Sequence, residues 1–329
     1  MQPSPVRRSA AARVAASVLA VLASGCASVF DLQGHRGARG LAPENTLAAF
    51  ATALSLGVTT LELDTAVTSD GIVVISHDST LNPDLTRDPQ GQWLAARGPA
   101  IFGLTLAELQ AFDVGRLRPG TRYAQSQPAQ QPADGQPIPT LAQLFGLTVR
   151  HGNQAVRFNI ETKLSPLQPE LTPDPEAFVR AVLAVAAQHG MLRRISLQSF
   201  DWRTLQVAQR LAPGVPTVYL SAQQPWANNV ADARWTAGWR LADHGSVPRM
   251  IKAAGGATWS PYFGDAKPEL VQQAQALGLK VVVWTVNEPA DIERMLGLGV
   301  DGLISDRPDR VRAAMAARGM TLPRPTAPR

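Results

Sequence analysis

Short apolar runs rich in β-branched residues alternate with helix-length segments along almost the whole chain, and this alternation constrains the fold most. Nine runs have the length and composition of strands: residues 31–35, 60–67, 72–77, 156–161, 194–197, 217–220, 257–260, 280–285 and 301–305. Between them lie alanine-rich amphipathic stretches that we predict to be helices: residues 45–56, 175–189, 202–211, 267–277 and 290–298. Strands that alternate with helices are typical of parallel β/α units.

Nine strands are one too many for an eight-stranded barrel, and the dipeptide Asp70-Gly71 accounts for the extra one. A two-residue Asp-Gly turn predicts a hairpin, because parallel neighbours cannot be joined by so short a loop. The run after the turn is therefore predicted to pair antiparallel with the run before it. In the register of a two-residue turn, Asp64 faces His77. The remaining eight runs predict a closed TIM-type (β/α)8 barrel.

Residues 79–139 do not fit the alternation of strands and helices. The segment is rich in Pro, Gly, Gln and other polar residues, and it includes the glutamine- and proline-rich run 125–132. Loops of this length are usually functional lids or disordered excursions. We interpret the segment as an insertion over the barrel mouth, with one helix near residues 105–112 and a mobile Gln/Pro section.

Residues 1–25 have the order of a secretory signal peptide, with arginines first, then an apolar stretch and then small residues. The apolar stretch is about half as long as a bilayer-spanning helix. Cys26 follows an Ala-Ser-Gly triplet, an arrangement similar to a bacterial lipobox. The protein is therefore expected to be exported, and either lipid-anchored through Cys26 or cleaved to a soluble periplasmic or secreted form.

The rest of the chain is expected to fold as one barrel domain, residues 27–315, followed by a disordered tail, residues 316–329. Without the three leader arginines, the 31 basic residues fall to 28, against 26 acidic residues. The sequence contains no concentrated basic stripe, which argues against a nucleic-acid partner. A single cysteine cannot form an internal disulfide. A membrane is expected as a partner only through lipidation.

Three carboxylates lie near the carboxyl ends of predicted strands, where TIM barrels carry their chemistry. Glu62 and Asp64 are two residues apart on one strand, so their side chains point to the same face. Glu161 ends a different strand and can converge on them in a closed barrel. An oxygen-rich set without cysteine suits a hard cation, Ca²⁺ or Mg²⁺. The alternative is that Glu62 and Asp64 face solvent from an amphipathic strand.

Two of the five histidines, His35 and His77, also lie at the ends of predicted strands. Phosphodiester hydrolysis gains from a metal that neutralises the phosphate, a base for the nucleophile and an acid for the leaving group. Histidines titrate near neutral pH and can supply the acid and the base. Arg36 and Lys163 add cations for the phosphate oxygens. A lone histidine would more often be structural, but two beside three carboxylates favour this chemistry.

The order of these motifs closely resembles the glycerophosphodiester phosphodiesterase family over residues 33–313. The motifs are His-Arg-Gly at 35–37, Pro-Glu-Asn-Thr at 43–46, Glu-Leu-Asp at 62–64, Asp-Gly-x-x-Val-x-x-His-Asp at 70–78, Glu-x-Lys at 161–163, Gln-Ser-Phe at 198–200, Trp-Thr-Val-Asn at 284–287 and Asp-Gly-Leu-Ile-Ser-Asp-Arg-Pro at 301–308. Each motif alone is weakly specific, whereas the ordered set is strong. The section after His77 also looks like the family's insertion between early barrel strands.

The resemblance implies metal-dependent hydrolysis of a small-molecule glycerophosphodiester to glycerol 3-phosphate and an alcohol. The site residues that it implies are Glu62, Asp64 and Glu161 for the metal, His35 and His77 for acid–base catalysis, Arg36 and Lys163 for the phosphate, Glu44 in the glycerol or metal environment, and Trp284 as an apolar wall under the glycerol or a packed core residue. Which histidine is the acid stays open. Exported members of the family often use calcium, so Ca²⁺ is favoured over Mg²⁺.

Three other functions remain as alternatives. A related barrel phosphodiesterase acting on intact lipid, of the phospholipase C or sphingomyelinase D kind, would expose apolar residues at the mouth. The insertion is mainly polar, although Trp93, Ile101 and Phe102 are apolar. A catalytically silent envelope lipoprotein would most readily lack a ligand or a histidine. A glycosidase would use two carboxylates near the sugar bond, without the paired histidines.

Overall fold

The computed structural model describes residues 1–2 and 29–327. The strands are β1 Asp31–Gly34, β2 Thr60–Val67, β3 Val73–Ile75, β4 Arg157–Thr162, β5 Ile195–Ser199, β6 Thr217–Ser221, β7 Gln223–Gln224, β8 Ala227–Asn228, β9 Thr258–Pro261, β10 Lys280–Val283 and β11 Gly302–Ser305. The α-helices are α1 Leu47–Leu56, α2 Leu106–Leu109, α3 Arg122–Ser126, α4 Leu141–Arg150, α5 Pro175–Gln188, α6 Trp202–Leu211, α7 Leu241–His244, α8 Val247–Ala253, α9 Pro268–Ala276, α10 Pro289–Leu298 and α11 Pro308–Ala317. Each of the nine predicted strands overlaps one of the observed strands.

Eight parallel strands close into a barrel within residues 29–327. Around the barrel their order is β1, β2, β4, β5, β6, β9, β10 and β11, and β11 pairs again with β1. Asp31 of β1 lies opposite Gly302 on one side, and Gln33 lies opposite Thr60 on the other. Helices lie between successive barrel strands, as parallel neighbours require. The predicted TIM-type barrel is confirmed.

The hairpin between β2 and β3 is confirmed, but its predicted register is wrong by one residue. Asp64 lies opposite Ser76 and not opposite His77, because the Ser76 N–H donates to the Asp64 carbonyl at 3.0 Å. The loop contains three residues, 69–71, where the sequence predicts two. Gly71 adopts φ +79° at the end of this loop, a left-handed conformation that glycine accepts at little cost.

The main apolar core lies between the barrel strands and the surrounding helices. Phe50 of α1, Phe145 of α4 and Phe178 of α5 are fully buried in it, and truncation of such a side chain to alanine typically costs about 3–5 kcal/mol. The Thr46 hydroxyl caps the start of α1, and Gly57 caps its end. This packing holds α1, and thereby the loop before it, against the barrel mouth.

The insertion, residues 79–139, has a small apolar core of its own. Ile101 and Leu109 pack there with Val74 of β3. The helix predicted near residues 105–112 is present in part as α2, and a capping box stabilises its first turn. The insertion is therefore docked on the β2–β3 hairpin and stays next to the barrel mouth.

The Gln/Pro section of the insertion differs from the mobile segment that the sequence predicts. Helix α3 ends within it at Ser126, and hydrogen bonds join the section to the loop after β1. The Gln130 amide donates to the Arg39 carbonyl at 2.7 Å, and the Gln131 N–H donates to the Leu41 carbonyl at 2.9 Å. These contacts are long-range in sequence, so local composition does not reveal them.

The end of the chain also differs from the disordered tail predicted for residues 316–329. Helix α11 continues to Ala317. The following residues lie against the amino-terminal face of the barrel, where the Thr326 N–H donates to the Leu54 carbonyl at 2.9 Å. Backbone groups of the tail find protein partners there, whereas those of a solvated tail bond to water.

Most of the predicted leader, together with Cys26, lies among residues 3–28, outside the described part of the chain. The signal peptide and the lipid anchor therefore stay predictions. In the described ranges, 1–2 and 29–327, no helix is both long enough and apolar enough to cross a bilayer.

Candidate active site

Three carboxylates converge at the carboxyl ends of β2 and β4. These strands pair in parallel with Asp64 opposite Glu161, and Glu62 lies two residues earlier on β2. One oxygen of each side chain lies within 4.8 Å of the other two. All three residues are buried. The structure thus brings together the residues that the sequence selects as metal ligands, and Glu62 and Asp64 do not face solvent.

The charge of this cluster fits a hard divalent cation. Burial and the neighbouring charge of Asp64 raise the pKa of Glu62 well above its ordinary value and the pKa of Glu161 to about 7. Burial also opposes ionisation of Asp64, but the Arg36 guanidinium holds the pKa of that carboxyl well below its usual range. Buried carboxylates that repel one another are stabilised by a cation between them, and oxygen-only ligands suit Ca²⁺ or Mg²⁺.

Two cationic side chains flank the carboxylates. Lys163 Nζ lies 2.9 Å from Glu161 Oε1 and 3.7 Å from Asp64 Oδ1. Arg36 Nε lies 3.2 Å from Asp64 Oδ2, but it makes no well-aligned hydrogen bond within the part of the chain that the structure describes. A buried N–H without an acceptor destabilises the folded protein unless a ligand accepts its hydrogen bond. Arg36 Nε lies beside Asp64 without a hydrogen bond to it, so its N–H can donate to an incoming anion.

A tight turn after β1 presents Arg36. Its backbone has φ +50°, and Gly37 follows with φ +87°. A Cβ on Gly37 would lie 2.6 Å from the backbone of Ala49, so a side chain does not fit this close approach to α1. The Arg36 N–H donates to Glu62 Oε2 at 2.8 Å. The turn thus joins the candidate phosphate-binding residue to a candidate metal ligand.

Glu44 lies beside Arg36 and outside the carboxylate cluster. Arg36 Nη1 donates to Glu44 Oε1 at 2.6 Å, and the Tyr123 hydroxyl donates to the other Glu44 oxygen. Burial opposes ionisation of Glu44, but Arg36 and Arg39 hold its pKa below the ordinary value. Glu44 therefore orients the guanidinium. Tyr123 belongs to α3, so the insertion forms part of the site, a contribution that the sequence analysis missed.

His35 is paired with a carboxylate that follows β11. His35 Nδ1 lies 2.5 Å from Asp306 Oδ1, and His35 Nε2 lies 3.9 Å from Glu62 Oε2. Although burial opposes it, Arg39 and His35 hold the pKa of Asp306 well below its usual range, so Asp306 acts as an acceptor. Burial lowers the pKa of His35 to about 4. At neutral pH the ring therefore carries its proton on Nδ1 and a free lone pair on Nε2.

Asp306 and Gln198 contact candidate site residues; both occur in the motifs given above but were not selected as site residues. Arg39 Nη2 and Asn287 Nδ2 each donate to Asp306 at 2.7 Å. Gln198 Nε2 donates to Glu62 Oε1 at 2.7 Å. Both residues lie at or just after the carboxyl end of a barrel strand, and this position is the signal that could have found them.

His77 follows β3 and lines an open cleft of about 830 Å³. A third of its side chain is exposed, and Nδ1 lies 3.4 Å from Asp78 Oδ1. Burial, followed by the charges of Arg36 and Lys163, lowers the pKa of His77. Glu161 and Lys163 line the same cleft. His77 therefore shares the barrel mouth with the carboxylates, although the hairpin register differs from the prediction.

Trp284 also lines the cleft and is half-buried. Its Nε1 donates to the Ser260 carbonyl at 3.0 Å, and its ring packs edge-to-face on Phe200 with centroids 5.3 Å apart. The residue is thus fixed by packing and still presents ring surface to the cleft.

Comparisons with known proteins agree with this arrangement. The model of the glycerophosphoryl diester phosphodiesterase family matches residues 35–310. A glycerophosphodiester phosphodiesterase from Caldanaerobacter subterraneus subsp. tengcongensis is 29% identical over 279 residues, which cover 84% of this chain and 93% of the relative. A glycerophosphodiester phosphodiesterase from Bacillus subtilis is 28% identical over 278 residues, which cover 84% of this chain and 83% of the relative.

Solved structures show the same similarity. A Silicibacter pomeroyi protein assigned to the glycerophosphoryl diester phosphodiesterases is 39% identical with a TM-score of 0.81, covering 90% of this chain and 96% of that one. An Oleispira antarctica phosphodiesterase, solved in complex with the product sn-glycerol-3-phosphate, is 23% identical with a TM-score of 0.64, covering 88% of this chain and 97% of that one, and shares the fold. The chain therefore belongs to the glycerophosphoryl diester phosphodiesterase family and is an enzyme of that class.

Proposed function

We propose that this enzyme hydrolyses glycerophosphodiesters to glycerol 3-phosphate and an alcohol, with a divalent cation held by Glu62, Asp64 and Glu161. The observation that carries the proposal is the position of His35, which is held by Asp306 and lies beside these carboxylates. The names of the bacterial relatives support the substrate class. The product bound in the Oleispira antarctica phosphodiesterase supports it as well.

The carboxylate cluster accounts for the cation requirement. When bound, a divalent cation neutralises phosphate charge and lowers the pKa of a nucleophilic oxygen. We favour Ca²⁺ over Mg²⁺, because Ca²⁺ accepts flexible sets of oxygen ligands, whereas Mg²⁺ demands a near-ideal octahedron. The predicted export also supports Ca²⁺, since an exported enzyme meets more free calcium than a cytoplasmic one.

His35 is the candidate general base. Its Nδ1 proton is held by ionised Asp306, and its pKa of about 4 keeps the ring neutral at pH 7. A neutral imidazole whose Nε2 lone pair lies next to the cation ligands can accept a proton from the attacking water. Asp306 is a positioning residue in this mechanism, because it fixes the tautomer that leaves Nε2 free.

His77 is the candidate general acid, because it lines the cleft through which the alcohol leaves. A water oxygen bonds to phosphorus while its proton passes to His35 Nε2. The bond from phosphorus to the alcohol oxygen breaks, and that oxygen takes a proton from His77. The bound anionic phosphate counteracts the cations that lower the pKa of His77.

Arg36 and Lys163 are proposed to bind the phosphate oxygens. Arg36 has a buried Nε–H without an acceptor, and Glu44 holds its guanidinium in place. Lys163 is held by Glu161 at 2.9 Å. Trp284 supplies an apolar surface for the glycerol carbons.

The test is release of glycerol 3-phosphate from glycerophosphocholine, glycerophosphoethanolamine and glycerophosphoinositol by residues 27–329. Turnover should stop in EDTA and return with Ca²⁺ or Mg²⁺. His35→Ala should lower kcat by about 10²–10⁴-fold, and Glu62→Ala should also lower the affinity for the cation. Arg249→Gln, at an exposed position on α8, is the control. Folded, cation-loaded protein without turnover on any of these diesters would contradict the proposal.

Trp226 favours a second candidate function, hydrolysis of intact lipid. Its side chain is 61% exposed at the cleft, and exposed aromatic surface is typical of interaction sites. Hydrolysis of phosphatidylcholine vesicles without hydrolysis of water-soluble diesters would favour this candidate over the first one.

We also propose that the protein is exported, with Cys26 as the point of lipidation. The support is the order of basic, apolar and small residues before Cys26. Cell fractionation of the unsubstituted protein and of Cys26→Ser, with mass spectrometry of the mature amino terminus, tests both points. A soluble periplasmic form that starts after a different residue would refute the anchor and keep the export.

A further inference from the structure

The cleft beside the site extends beyond the groups that the proposed reaction uses. Three separate segments supply its outer part: the insertion with Thr80 and Arg97, the loop after β4 with Gln168, and the β7–β8 hairpin with Trp226. A cleft of about 830 Å³ is far larger than glycerol and phosphate require. The outer part is therefore placed to receive the alcohol portion of a diester, its head group.

Aromatic rings form one side of this outer cleft, and they pack against one another. The ring centroid of Trp226 lies 5.1 Å from that of Tyr262 and 6.3 Å from that of Trp284, both edge-to-face. These are distances of direct ring contact, so the rings leave no room between them for a trimethylammonium group. The exposed face of Trp226 therefore forms an aromatic wall of the cleft.

The charges in the cleft disfavour a cationic head group. Arg97 donates to the Thr80 hydroxyl at 3.2 Å and, among residues 1–2 and 29–327, forms no ion pair with a carboxylate. Lys163 Nζ already lies 5.8 Å from the ring centre of Phe200. The Asp78 carboxylate accepts a hydrogen bond from Asn82 Nδ2, in the insertion, at 2.7 Å. A quaternary ammonium needs free ring faces without competing cations.

We propose that the outer cleft is a head-group subsite for a polyhydroxylated ring, a cyclitol or a sugar, without positive charge. Trp226 contacts the C–H face of the ring, and free N–H groups of Arg97 and Gln168 donate to its hydroxyls. Apolar surface with a few convergent polar groups is the usual composition of a small-molecule site. The inference rests on the proposed function, because the head group is the alcohol that the proposed reaction releases.

The first test compares kcat/KM for glycerophosphoinositol, glycerophosphocholine, glycerophosphoethanolamine and micellar lysophosphatidylcholine on the whole enzyme with Ca²⁺. We expect kcat/KM for the inositol diester to exceed that for the choline diester by at least about tenfold, the effect of one charged hydrogen bond. An equal or higher value for the choline diester would overturn the proposal. Fastest turnover of micellar lysophosphatidylcholine would also overturn it and would assign the aromatic wall to an acyl chain.

Two variants locate the selectivity in the outer cleft. Trp226→Ala and Arg97→Gln should each lower the ratio of kcat/KM for the inositol diester to that for the ethanolamine diester by about tenfold. Both side chains are exposed, so loss of fold is not expected. Val149→Ala and Arg249→Gln, at exposed positions outside the cleft, are the matched controls and should leave the ratio unchanged. An unchanged ratio in both cleft variants would refute the subsite.

Direct binding separates failure of the subsite from failure of the proposed function. Glycerophosphoinositol is titrated calorimetrically into His35→Ala protein with Ca²⁺, a measurement that needs no turnover. One outcome is that binding weakens when Trp226→Ala is added to the His35→Ala protein, while the unsubstituted enzyme turns over no diester. This outcome would refute the hydrolysis and support the subsite. Turnover of the other diesters without binding of this one would refute the subsite alone. Absence of both binding and turnover would overturn both proposals.

Discussion

The two ends of the barrel satisfy their polar groups in different ways. At the carboxyl ends of the strands, burial raises the pKa of Glu62 and Glu161, and Arg36 Nε has no hydrogen-bond acceptor among the described residues. At the opposite end, the last part of the chain covers the barrel, and the Thr326 N–H donates to the Leu54 carbonyl. Polar groups at the first end need a ligand as their partner, whereas polar groups at the second end find their partners within the chain itself.

A chain of hydrogen-bonded amides runs through the barrel interior from Gln33 of β1 to the carboxylate cluster. Asn159 Nδ2 donates to both Gln33 Oε1 and Gln198 Oε1, and Gln198 in turn donates to Glu62. Fully paired buried networks are rigid, whereas a partly paired one is costly. Hydrogen bonds inside the barrel therefore hold the carboxylate cluster in place. Substitutions at the mouth should change activity, and substitutions at the far end should change stability.

Asp306→Asn should have the largest effect at the catalytic end. An asparagine amide can donate to His35 Nδ1, and the imidazole proton then moves to Nε2, which can no longer accept one. We expect kcat to fall by about 10⁴-fold with little change in KM, comparable to the loss when the orienting Asp of a Ser-His-Asp triad becomes Asn. Steady-state kinetics on a soluble diester measure this. Asp309→Asn, in the partly exposed pair with Arg307, is the control.

A loss of less than about tenfold in Asp306→Asn would contradict the assignment of His35 as the general base. It would also weaken the contrast between the two ends, because activity would then survive the loss of the Asp306 carboxylate that accepts from His35.

Gln198→Leu tests whether the hydrogen bond from Gln198 holds Glu62 in place. The donor to Glu62 Oε1 is lost, and mutation of such a partner of a metal ligand typically costs about 10–100-fold in metal affinity. The Ca²⁺ concentration for half-maximal activity should rise by that factor. Ser196→Ala removes the 2.9 Å hydrogen bond to Asn159 Oδ1, farther from the cluster, and serves as the control. Equal shifts in the two variants would mean that the amide chain acts as a whole and not through the contact with Glu62.

The pH dependence of stability should distinguish the metal-free protein from the loaded one. Burial raises the pKa of Glu161 from 4.5 to about 7, so the folded metal-free protein keeps a proton that the unfolded chain releases above about pH 4.5. The contribution of Glu161 to stability therefore falls as the pH rises from about 4.5 to about 7, while His35, whose pKa burial lowers to about 4, contributes in the opposite direction. A bound cation replaces that proton, so the increase in Tm on adding Ca²⁺ should grow over this window. Calorimetry in EDTA and in Ca²⁺ measures it.

Glu161→Gln is the control for this pH dependence, because it removes the titrating carboxyl and therefore the contribution of Glu161 to the metal-free slope. The contributions of Glu62 and His35 remain in this variant. An increase in Tm that is the same at pH 5 and pH 7 would show that Ca²⁺ does not bind at the expense of this proton.

The fold and the carboxylate cluster were predictable because they follow from short-range patterns together with the closure of the barrel. Period-two spacing places Glu62 and Asp64 on one face, and barrel closure brings Glu161 to them. The hairpin register was not predictable, since the same Asp-Gly dipeptide fits both two- and three-residue loops. The choice depends on the conformation of Gly71.

Contacts between distant parts of the chain were also not predictable from the sequence. Asp306 is 271 residues from His35, and Tyr123 is 79 residues from Glu44. Neither pair leaves a local pattern. The ordered conformation of the tail was not predictable for another reason. Thr326 is held through its backbone N–H, and composition does not indicate where a backbone group finds its partner.

Removal of residues 320–329 should have the smallest effect on activity and the clearest effect on stability. The truncated chain loses the hydrogen bond from Thr326 to Leu54 and the one from Arg312 to the Pro323 carbonyl. Each contributes about 0.5–1.5 kcal/mol, so Tm should fall by about 2–8 °C. The ratio kcat/KM should stay within about twofold, because distant sites act independently. A larger loss of kcat/KM at unchanged Tm would show that the covered end is coupled to the mouth, and the contrast between the two ends would not hold.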